Sequence, residues 1–510
     1  MPEIGLYFNQ KNFEYDVYHL VKAFFPDKET VILSADSEGR DVSMAKMTVI
    51  ETPDSFSFTI ESIPAASSEP GKEALVRSEP GNESIASAEN ITRFITVPED
   101  ADRKAKKNAL KRIVYQALSE YTGRKLPWGN LTGIRPVRIP LDLLEKGWKN
   151  AEIAKYMRET CFTGQKKTAL AIAIANREKD ILDRLDPENG YSLYVGIPFC
   201  PTICLYCSFG SHPLEKYQSM IRPYMEALYK ELLYISEAMA DKKLTSIYVG
   251  GGTPTSLDAD TLGDLLNFIT THFSFSDLVE FTVEAGRPDT ITEDKLYVML
   301  ASGVDRISVN PQTMNQKTLD LIGRRHTVEQ TIEAFETARN IGFGNINMDL
   351  IAGLPGEGPD EVRETLRQIE KLAPDSLTIH SLALKRSSRM NLFKDEYAPL
   401  SFYNTEEIMD SVAKTAVGLG MHPYYMYRQK NIAGNLENVG YAKDGCFGIY
   451  NILIMEEKQT IIAAGAGAIT KLVCEGNRIE RVADVKDVTN YIERIDEMIE
   501  RKRAALSFSL

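Results

Sequence analysis

The sequence predicts an α/β fold centred on a partial (β/α)6 barrel of the TIM type, flanked by an N-terminal α+β region and a small C-terminal α+β domain. Short apolar segments that read as strands alternate with helical patterns, and the chain between successive strands is long enough for one helix. This alternation is typical of parallel strands joined by right-handed crossovers. The predicted strands are 193–197, 246–249, 279–284, 306–309, 345–350 and 376–382. The predicted helices between them are 217–239, 259–273, 292–301, 327–341 and 361–372.

The N-terminal α+β region, residues 1–189, carries no recognisable motif. It contains an insert at about 61–90 that is rich in Ser, Glu, Pro and Gly and predicts a mobile linker. After the insert, 100–121 predicts an amphipathic helix that ends before Gly123. The apolar face of that helix consists of Leu110, Ile113, Val114, Ala117 and Leu118.

The barrel pattern occupies residues 190–390 and then stops. Residues 391–510 predict helices, a glycine-rich strand pair around 445–467 and a charged terminal helix at 485–505. Glycines, cysteines and polar residues follow the ends of the predicted barrel strands. Because barrel active sites lie at the C-terminal ends of the strands, we expect the functional site there.

Composition favours a multidomain enzyme. A chain of 510 residues allows about two to four domains, and 43% hydrophobic content is enough for buried cores. No apolar stretch approaches the roughly 20 residues of a membrane helix, and the N-terminus lacks the pattern of a secretory signal. Half of the six cysteines fall in one motif, which argues for a reducing compartment and against a disulfide framework. We therefore expect a cytoplasmic protein without a membrane span.

The charge is acidic overall but unevenly distributed. A net charge of −13 argues against general nucleic-acid binding. Residues 101–138 nevertheless carry ten Lys or Arg against Asp102 and Glu120, a balance of +8 that leaves −21 (−13 − 8) for the rest of the chain. Most charge runs are solvated helix faces. The functional alternative is a docking surface for an acidic electron carrier or an anionic substrate.

Three cysteines in Cys200-Pro-Thr-Ile-Cys204-Leu-Tyr-Cys207 follow the first predicted barrel strand. Thiolates are the usual ligands of a [4Fe–4S] cluster, and three of them leave one iron open. That iron can be chelated by the amino and carboxylate groups of S-adenosylmethionine (SAM), which places a cleavable sulfonium beside the cluster. The alternative is a structural zinc site with His212 as the fourth ligand.

A glycine run after the second predicted strand, Gly250-Gly-Gly-Thr-Pro-Thr255, favours the cluster over zinc. Glycine has no Cβ, so the backbone can approach a ligand closely and offer its N–H and C=O groups to it. A zinc site has no use for such a run. By itself the run is weak evidence, because tight turns after strands are common. One βα unit after the cysteine motif, it is strong evidence.

Further motifs continue the series in chain order: Tyr194-Val-Gly-Ile-Pro-Phe-Cys200, Thr282-Val-Glu284, Ser308-Val-Asn-Pro-Gln312, Leu321-Ile-Gly-Arg324, Met348-Asp-Leu-Ile-Ala-Gly-Leu-Pro-Gly356, Tyr427-Arg-Gln-Lys-Asn431 and Asn438-Val-Gly-Tyr441. With these motifs the chain resembles the radical SAM superfamily and, within it, the oxygen-independent coproporphyrinogen III dehydrogenase family, where the HemZ branch is the most similar. The resemblance covers about residues 190–475. It implies a [4Fe–4S] cluster and SAM as cofactors and a C-terminal domain that covers the substrate.

By position, the resemblance implies roles for individual residues. The catalytic set is Glu284 together with the three cysteines, which would also be the metal ligands. The implied cofactor-binding residues are Tyr194, Tyr206, Gly251, Gly252, Thr253, Glu284, Gln312, Arg324, Asp349, Ala383 and Ile469. The structural alternatives are aromatic packing for the tyrosines, a polar network or surface ion pair for residues such as Arg324, and core packing for the last two. Glu284 has few structural reasons to end a buried strand, because an unpaired buried charge is costly.

The reaction that the resemblance implies converts propionate side chains of coproporphyrinogen III to vinyl groups, with a flavodoxin or ferredoxin as reductant. The substrate bears carboxylates, which guanidinium groups bind well, so Arg386, Arg389 and Arg428 are candidate contacts. His380, inside a strand pattern, is interpreted as a hydrogen-bonded core residue.

Two departures from the family pattern concern the reaction rather than the cofactor. Gly196 stands where the family commonly has His, and Ser208-Phe209 replaces the Gly-Cys of well-known decarboxylases. The second departure also separates the related haem-chaperone branch from the decarboxylases. The alternatives are therefore a haem-binding chaperone on the same fold, another tetrapyrrole-modifying radical enzyme and, more remotely, a zinc-stabilised interaction module.

Overall fold

The computed structural model describes residues 2–33, 42–63, 90–207, 211–383, 404–429, 432 and 435–509. By its internal contacts the chain divides into two compact units, Met1–Ile134 with Lys146–Ile172 and Arg135–Glu145 with Ala173–Leu510. The elements of the first 182 residues are β1 (Ile4–Phe8), α1 (Glu14–Phe24), β2 (Thr30–Leu33), β3 (Ala45–Thr52), β4 (Ser55–Ser62), β5 (Ile91–Thr96), α2 (Arg103–Thr122), α3 (Arg138–Glu145), α4 (Asn150–Glu159) and α5 (Gln165–Leu182).

The first unit is built on a five-stranded sheet in the order β2-β1-β3-β4-β5. Strand β1 pairs in parallel with β2 and β3, and β3, β4 and β5 follow as antiparallel neighbours. Helices α1 and α2 pack on this sheet over an apolar core. The predicted helix at 100–121 is confirmed as α2. Asp102 caps its start by accepting from the Ala105 amide at 2.6 Å, and Gly123, with φ 66°, ends it.

The second unit is built on an eleven-stranded sheet in the order β14-β15-β13-β12-β11-β10-β9-β6-β16-β17-β18, and a separate pair, β7 with β8, accompanies it. The strands are β6 (Gly190–Ile197), β7 (Phe199–Cys200), β8 (His212–Pro213), β9 (Lys243–Gly251), β10 (Glu280–Gly286), β11 (Arg306–Val309), β12 (Ile346–Ala352), β13 (Ser376–Ser381), β14 (His422–Tyr427), β15 (Asn438–Ala442), β16 (Thr460–Ala464), β17 (Ile469–Cys474) and β18 (Arg478–Ala483). The helices are α6 (Leu214–Tyr217), α7 (Ile221–Ala238), α8 (Ala259–His272), α9 (Glu293–Ala301), α10 (Gln316–Leu321), α11 (Val328–Ile341), α12 (Pro359–Leu372), α13 (Glu406–Gly418), α14 (Ile449–Glu456), α15 (Val488–Glu493) and α16 (Ile495–Ser509).

All six predicted barrel strands are present, as β6, β9, β10, β11, β12 and β13, and each pairs in parallel with the next. Their near-continuous burial, all but one residue in β6 for example, is typical of parallel strands covered on both faces. The parallel core also contains a seventh strand, β16, which pairs with β6. The predicted fold class is therefore confirmed, with one more parallel strand than expected.

The C-terminal prediction needs correction in two places. The first part of the predicted strand pair around 445–467 is the helix α14, and the strands that pair here are β16 and β17. The charged terminal helix is two helices, α15 and α16, because the chain leaves helical geometry at Arg494. Most of the predicted insert and the boundary near residue 390 lie outside the described residues, and the three-part domain division stays a prediction. No described helix is long and apolar enough to cross a membrane.

Candidate functional site

The three predicted cluster ligands lie after β6: Cys200 ends the short strand β7, and Cys204 and Cys207 lie in the loop that follows it. The amide of His212 donates to the carbonyl of Pro198 at 2.7 Å, which closes the loop at its base. In the middle of the loop, the amide of Leu205 donates to the carbonyl of Ile322 at 3.0 Å. One cavity of about 300 Å³ is lined by all three thiols, those of Cys200, Cys204 and Cys207. The loop is thus closed at its base and held against the end of α10, with its three cysteines around a shared space.

A zinc site at this loop needs four donors that converge on one ion. Among the described residues, no three Cys, His, Asp or Glu side chains converge in that way. The ring of His212, the fourth ligand that zinc would need, packs against Tyr217 with the centroids 4.6 Å apart. A cubane cluster places each thiolate on a different iron, so its ligands can surround a cavity without converging. Cysteines arranged around one cavity are therefore compatible with such a cluster.

The glycine run lies at the end of β9, directly beside the cysteine segment. A Cβ on Gly252 would lie 2.5 Å from the carbonyl oxygen of Phe199 and 3.0 Å from the sulfur of Cys200, and Gly251 has a φ of 110°. The hydroxyl of Thr253 is 3.5 Å from the same sulfur. These glycines are thus required first by the approach of the chain's own backbone. That approach brings Thr253 to the cavity, which both glycines also line.

Glu284 lies two residues before the end of the buried strand β10 and lines the cavity. The hydroxyl of Tyr248 donates to its Oε1 at 2.5 Å. Burial raises the pKa of Glu284 to about 7, although the hydrogen bond from Tyr248 opposes the rise. The carboxylate is therefore partnered, and near neutral pH it exists in both protonation states.

Arg324 and Gln312 line the cavity from the segment that follows β11. Arg324 is buried and donates to the Asn310 carbonyl at 2.6 Å and to the Tyr206 hydroxyl at 3.1 Å. The alternative that Arg324 forms a surface ion pair is therefore wrong. Gln312 has a left-handed backbone (φ 70°), and its amide donates to the Asp349 carbonyl at 2.9 Å. Tyr206 and Arg324 thus contact each other at the wall of a cavity that Gln312 also lines.

Asp349 and His380, on the neighbouring strands β12 and β13, complete this polar wall. The Nε2 of His380 lies 3.6 Å from Asp349, and its Nδ1 lies 3.2 Å from the Tyr427 hydroxyl. Asp349 also accepts from the Asn347 side chain at 2.7 Å. Burial raises the pKa of Asp349, but the contact with His380 is foremost among the opposing interactions, which hold this pKa below its usual range.

The predicted site residues divide between two cavities. Tyr194 and Ile469 line a second cavity of about 230 Å³, and all the others line the first. Gly251, Gly252 and Ser211 line both, so the cavities adjoin at the glycine run. Ala383 lines the first cavity and Ile469 is 46% exposed, so neither residue serves only to fill the core.

The first cavity is also lined by residues to which the sequence reasoning gave no site role: Arg287, Asn310, Tyr427 and Gln429. His380, interpreted from the sequence as a core residue, is half-buried and lines the cavity as well. The position of His380 at the end of a parallel strand could have identified it, because its neighbours on the adjacent strand ends were already assigned. Arg287 carried no comparable signal. Arg428 does not line this cavity, because its guanidinium donates to the carbonyls of Leu436 and Asn435. Arg386, Arg389, Ser208 and Phe209 lie outside the described residues.

Buried polar atoms on the first cavity's wall indicate a polar ligand. The Oε1 of Gln312, the Oδ1 of Asn310 and the Nε of Arg324 have no hydrogen-bond partner among the described residues. Such burial is costly unless a ligand or water compensates it. The ammonium, carboxylate, ribose and adenine groups of SAM would supply partners of both kinds. The residues present therefore fit a cluster on the three cysteines and a SAM beside it.

Comparison with known proteins agrees with this geometry. Residues 194–369 match the model of the radical SAM superfamily. The oxygen-independent coproporphyrinogen-III oxidase-like protein HemZ of Bacillus subtilis (strain 168) is 40% identical over 422 residues, which are 81% of this chain and 84% of that protein. The heme chaperone HemW of the same strain is 31% identical over 309 residues, which are 60% of this chain and 76% of HemW.

Among solved structures, the coproporphyrinogen III oxidase HemN from Escherichia coli, described as a radical SAM enzyme, matches with a TM-score of 0.50. It is 23% identical, and the match covers 61% of this chain and 70% of HemN. This match supports the fold, and the HemZ match extends over most of both chains. The chain therefore belongs to the radical SAM superfamily, whose members use a [4Fe–4S] cluster and SAM, and within it to the HemZ-like group of oxygen-independent coproporphyrinogen-III oxidase-like proteins.

Proposed function

We propose that the protein catalyses the oxygen-independent oxidative decarboxylation of coproporphyrinogen III to protoporphyrinogen IX, a step of haem biosynthesis. In this reaction each of two propionate side chains loses one hydrogen atom and CO2, passes one electron to a separate one-electron acceptor and becomes a vinyl group. The observation that carries the proposal is one cavity lined both by the three cysteines and by polar groups within or just after five successive strands, β9 to β13. Hydrogen abstraction needs cofactor and substrate in contact, and such a cavity can hold both.

The relatives support the same reaction class. The HemZ relative is named as oxidase-like, and the solved HemN structure is that of a coproporphyrinogen III oxidase. When bound, the cluster and SAM supply a 5′-deoxyadenosyl radical, which can take the hydrogen atom from the propionate. The three cysteines would hold the cluster. Thr253, the glycine backbone and Glu284 would hold the polar end of SAM, since a carboxylate suits its ammonium group.

Other residues of the first cavity would receive the substrate. His380, Tyr427 and Gln429 can exchange hydrogen bonds with a carboxylate or with a pyrrole N–H. Asp349 fixes the orientation of the His380 ring by its contact with Nε2.

A haem-binding chaperone is the second candidate, and the similarity to HemW favours it. The fold, the cysteine loop and the cofactors would be the same in that case. The difference lies in the product, because a chaperone binds haem without removing carboxylates. Another radical enzyme that methylates or opens a tetrapyrrole would be distinguished in the same way, by its product.

The test is product analysis after anaerobic reconstitution of the cluster. The protein is incubated with SAM, coproporphyrinogen III and dithionite, and the porphyrins are separated and identified by mass spectrometry. We expect vinyl products from the parent and from Cys446→Ala, a control outside both cavities, and none from Cys204→Ala. Stoichiometric haem uptake without any vinyl product would contradict the proposal and favour the chaperone. A methylated or ring-opened product would favour the third class.

A further inference from the structure

A single arginine, Arg287, connects strand β10 to the cysteine loop. The ladder between β10 and β11 is irregular between Val283 and Gly286, and Gly286 has a φ of 63°. Such bulges redirect the side chains that follow them and occur often beside active sites. Arg287 is the next residue, only 3% exposed, and it lines the first cavity.

The guanidinium of Arg287 is fixed by three partners. Its Nη1 donates to the Thr202 hydroxyl at 2.8 Å and lies 3.9 Å from the sulfur of Cys204. Its Nε and Nη2 donate to the two carboxylate oxygens of Asp289 at 2.9 and 2.8 Å. This paired geometry is the strong, orienting form of an arginine–carboxylate contact. The cation is therefore held against one cluster ligand and cannot swing into solvent.

The charges around this contact leave a net positive balance. Asp289 compensates Arg287, and Arg324, also buried, adds a second cation that donates to Tyr206 between two of the cysteines. The ring of His326, buried beside this group, has no hydrogen-bond partner among the described residues. Burial and the two arginines lower the pKa of His326 to about 3, so it adds no charge.

We propose that Arg287 raises the reduction potential of the [4Fe–4S] cluster. A cluster that takes up one electron from a donor gains one negative charge, and a fixed cation beside a ligand sulfur stabilises the more negative state. Hydrogen bonds to the sulfurs, net charge and solvent exposure are the properties that set the potentials of such clusters. The low dielectric of a buried site strengthens the effect. Asp289 acts in the opposite sense, because its negative charge disfavours the reduced cluster.

The inference rests on a cluster at the three cysteines and does not depend on the substrate. It would hold equally in a decarboxylase and in a haem chaperone. Its failure is therefore distinguishable from failure of the proposed function, provided that the potential is measured on the cluster itself and without substrate.

The test is an anaerobic redox titration of the reconstituted full chain, with the reduced cluster measured by electron paramagnetic resonance. We expect Arg287→Gln to lower the ratio of reduced to oxidised cluster at a fixed potential about tenfold, equivalent to ~59 mV for a one-electron couple. Arg287→Lys keeps the charge and should restore most of the ratio. Asp289→Asn should change the ratio in the opposite direction.

Arg339→Gln is the matched control. Arg339 also forms an ion pair, 2.7 Å from Asp375, but at the start of β13, the opposite end of the parallel strands from the cysteines. Its removal should leave the potential unchanged. An Arg287→Gln potential equal to the parent's, with a full cluster, would overturn the inference. If that variant assembles no cluster, an unchanged potential in Asp289→Asn overturns it instead.

Discussion

Glu284 depends on residues that are distant from it in the sequence. Its partner Tyr248 lies on the neighbouring strand β9, and the Tyr248 ring stacks on Tyr450 with the centroids 4.5 Å apart. A Cβ on Gly250 would lie 2.8 Å from the Tyr248 ring and 3.2 Å from the Glu284 carboxyl carbon. The first glycine of the run is thus required by this pair, and the pair positions the carboxylate at the cavity.

Removing the hydroxyl in Tyr248→Phe tests this relation. A hydrogen bond to a charged group is worth about 1.5–3 kcal/mol, and one pKa unit corresponds to about 1.4 kcal/mol. Because the hydroxyl stabilises the ionised carboxylate, its loss should raise the pKa of Glu284 by about one to two units above its value near 7. If ionised Glu284 binds the SAM ammonium, SAM affinity is lost when the pH is lowered through the pKa of Glu284. In Tyr248→Phe this loss should occur at a higher pH than in the parent. Calorimetric titration of SAM at several pH values measures the midpoint.

Tyr191→Phe is the control for this variant. It removes another buried phenol hydroxyl, at the opposite end of the adjoining strand β6. An identical pH profile in Tyr248→Phe and the parent would show that the hydroxyl does not control Glu284.

Glu284→Gln keeps the size of the side chain and removes its charge. We expect a full cluster, because the cysteines are untouched, and SAM binding weaker by roughly tenfold or more, as for loss of a charge-assisted hydrogen bond. Cluster absorbance and calorimetric SAM titration measure the two quantities separately. Unchanged affinity would return Glu284 to a purely structural role.

The sequence identified the site residues that belong to contiguous motifs and missed those that reach the site through contacts between distant segments. The cysteine spacing and the glycine run are contiguous, so their chemistry could be predicted from the printed order. Tyr248, Arg287 and His380 contact the site through pairing of strands and loops that are far apart in sequence. No periodicity or spacing encodes such contacts, and only the fold brings them together.

Buried ion pairs connect the terminal helix α16 to α7 and to the segment after β18. Lys502 donates to Glu231 on α7 and to Asp484 after β18, both at 2.6 Å. The other oxygen of Glu231 accepts from the amide of Gly465 at 2.9 Å. Gly465 precedes Ala466, which lines the second cavity. The C-terminal helix therefore supports the turn that forms one wall of that cavity.

Lys502→Met should destabilise this unit by about 3–5 kcal/mol, because removing one partner leaves buried charges uncompensated. Amide hydrogen exchange at 465–468 should accelerate, since Glu231 would lose its cation. Urea unfolding and exchange mass spectrometry measure the two effects. The control is Lys230→Met, which breaks an exposed 3.7 Å ion pair between α7 and Asp496 of α16. It should lower the free energy of unfolding by at most about 1 kcal/mol. Equal effects of the two variants would contradict this role for Lys502.

The βα units were predictable because each repeats the same hydrophobic period, and the helices α7, α8, α9, α11 and α12 lie within a few residues of their predicted bounds. The seventh parallel strand, β16, was not. It follows the helix α14 and pairs with β6, more than 250 residues earlier in the chain, so no local pattern announces its partner. The sheet of the first unit could not be predicted from the sequence either, because its mixed sheet pairs strands without a repeating connection.

At the scale of the whole molecule, the basic segment still lacks an explanation within the site. Lys104 is exposed, and Lys106 and Lys107 are partly exposed on α2. Lys111 is buried and donates to the Thr132 hydroxyl at 2.9 Å, so it cannot belong to a docking surface. The surface available to a partner therefore lacks Lys111, and Lys104, Lys106 and Lys107 are the lysines of α2 that remain on it.

If this surface docks an acidic flavodoxin or ferredoxin, reversing Lys104, Lys106 and Lys107 to Glu should slow turnover with that donor by about tenfold or more at low salt. Added salt should produce the same loss in the parent, because it screens charge. Turnover with dithionite should be spared. Reversal of the exposed Lys146, Lys149 and Lys155 is the charge-matched control. Equal loss with both reductants would instead indicate a folding or substrate effect.

The central claim is that a radical formed at the cysteine cavity takes a hydrogen atom from a propionate side chain. The most direct measurement uses coproporphyrinogen III deuterated in its propionates, with mass spectrometry of the 5′-deoxyadenosine released. We predict deuterium in the 5′-deoxyadenosine together with vinyl products, and neither in Cys204→Ala. Recovery of intact substrate with 5′-deoxyadenosine that contains no deuterium would contradict the account.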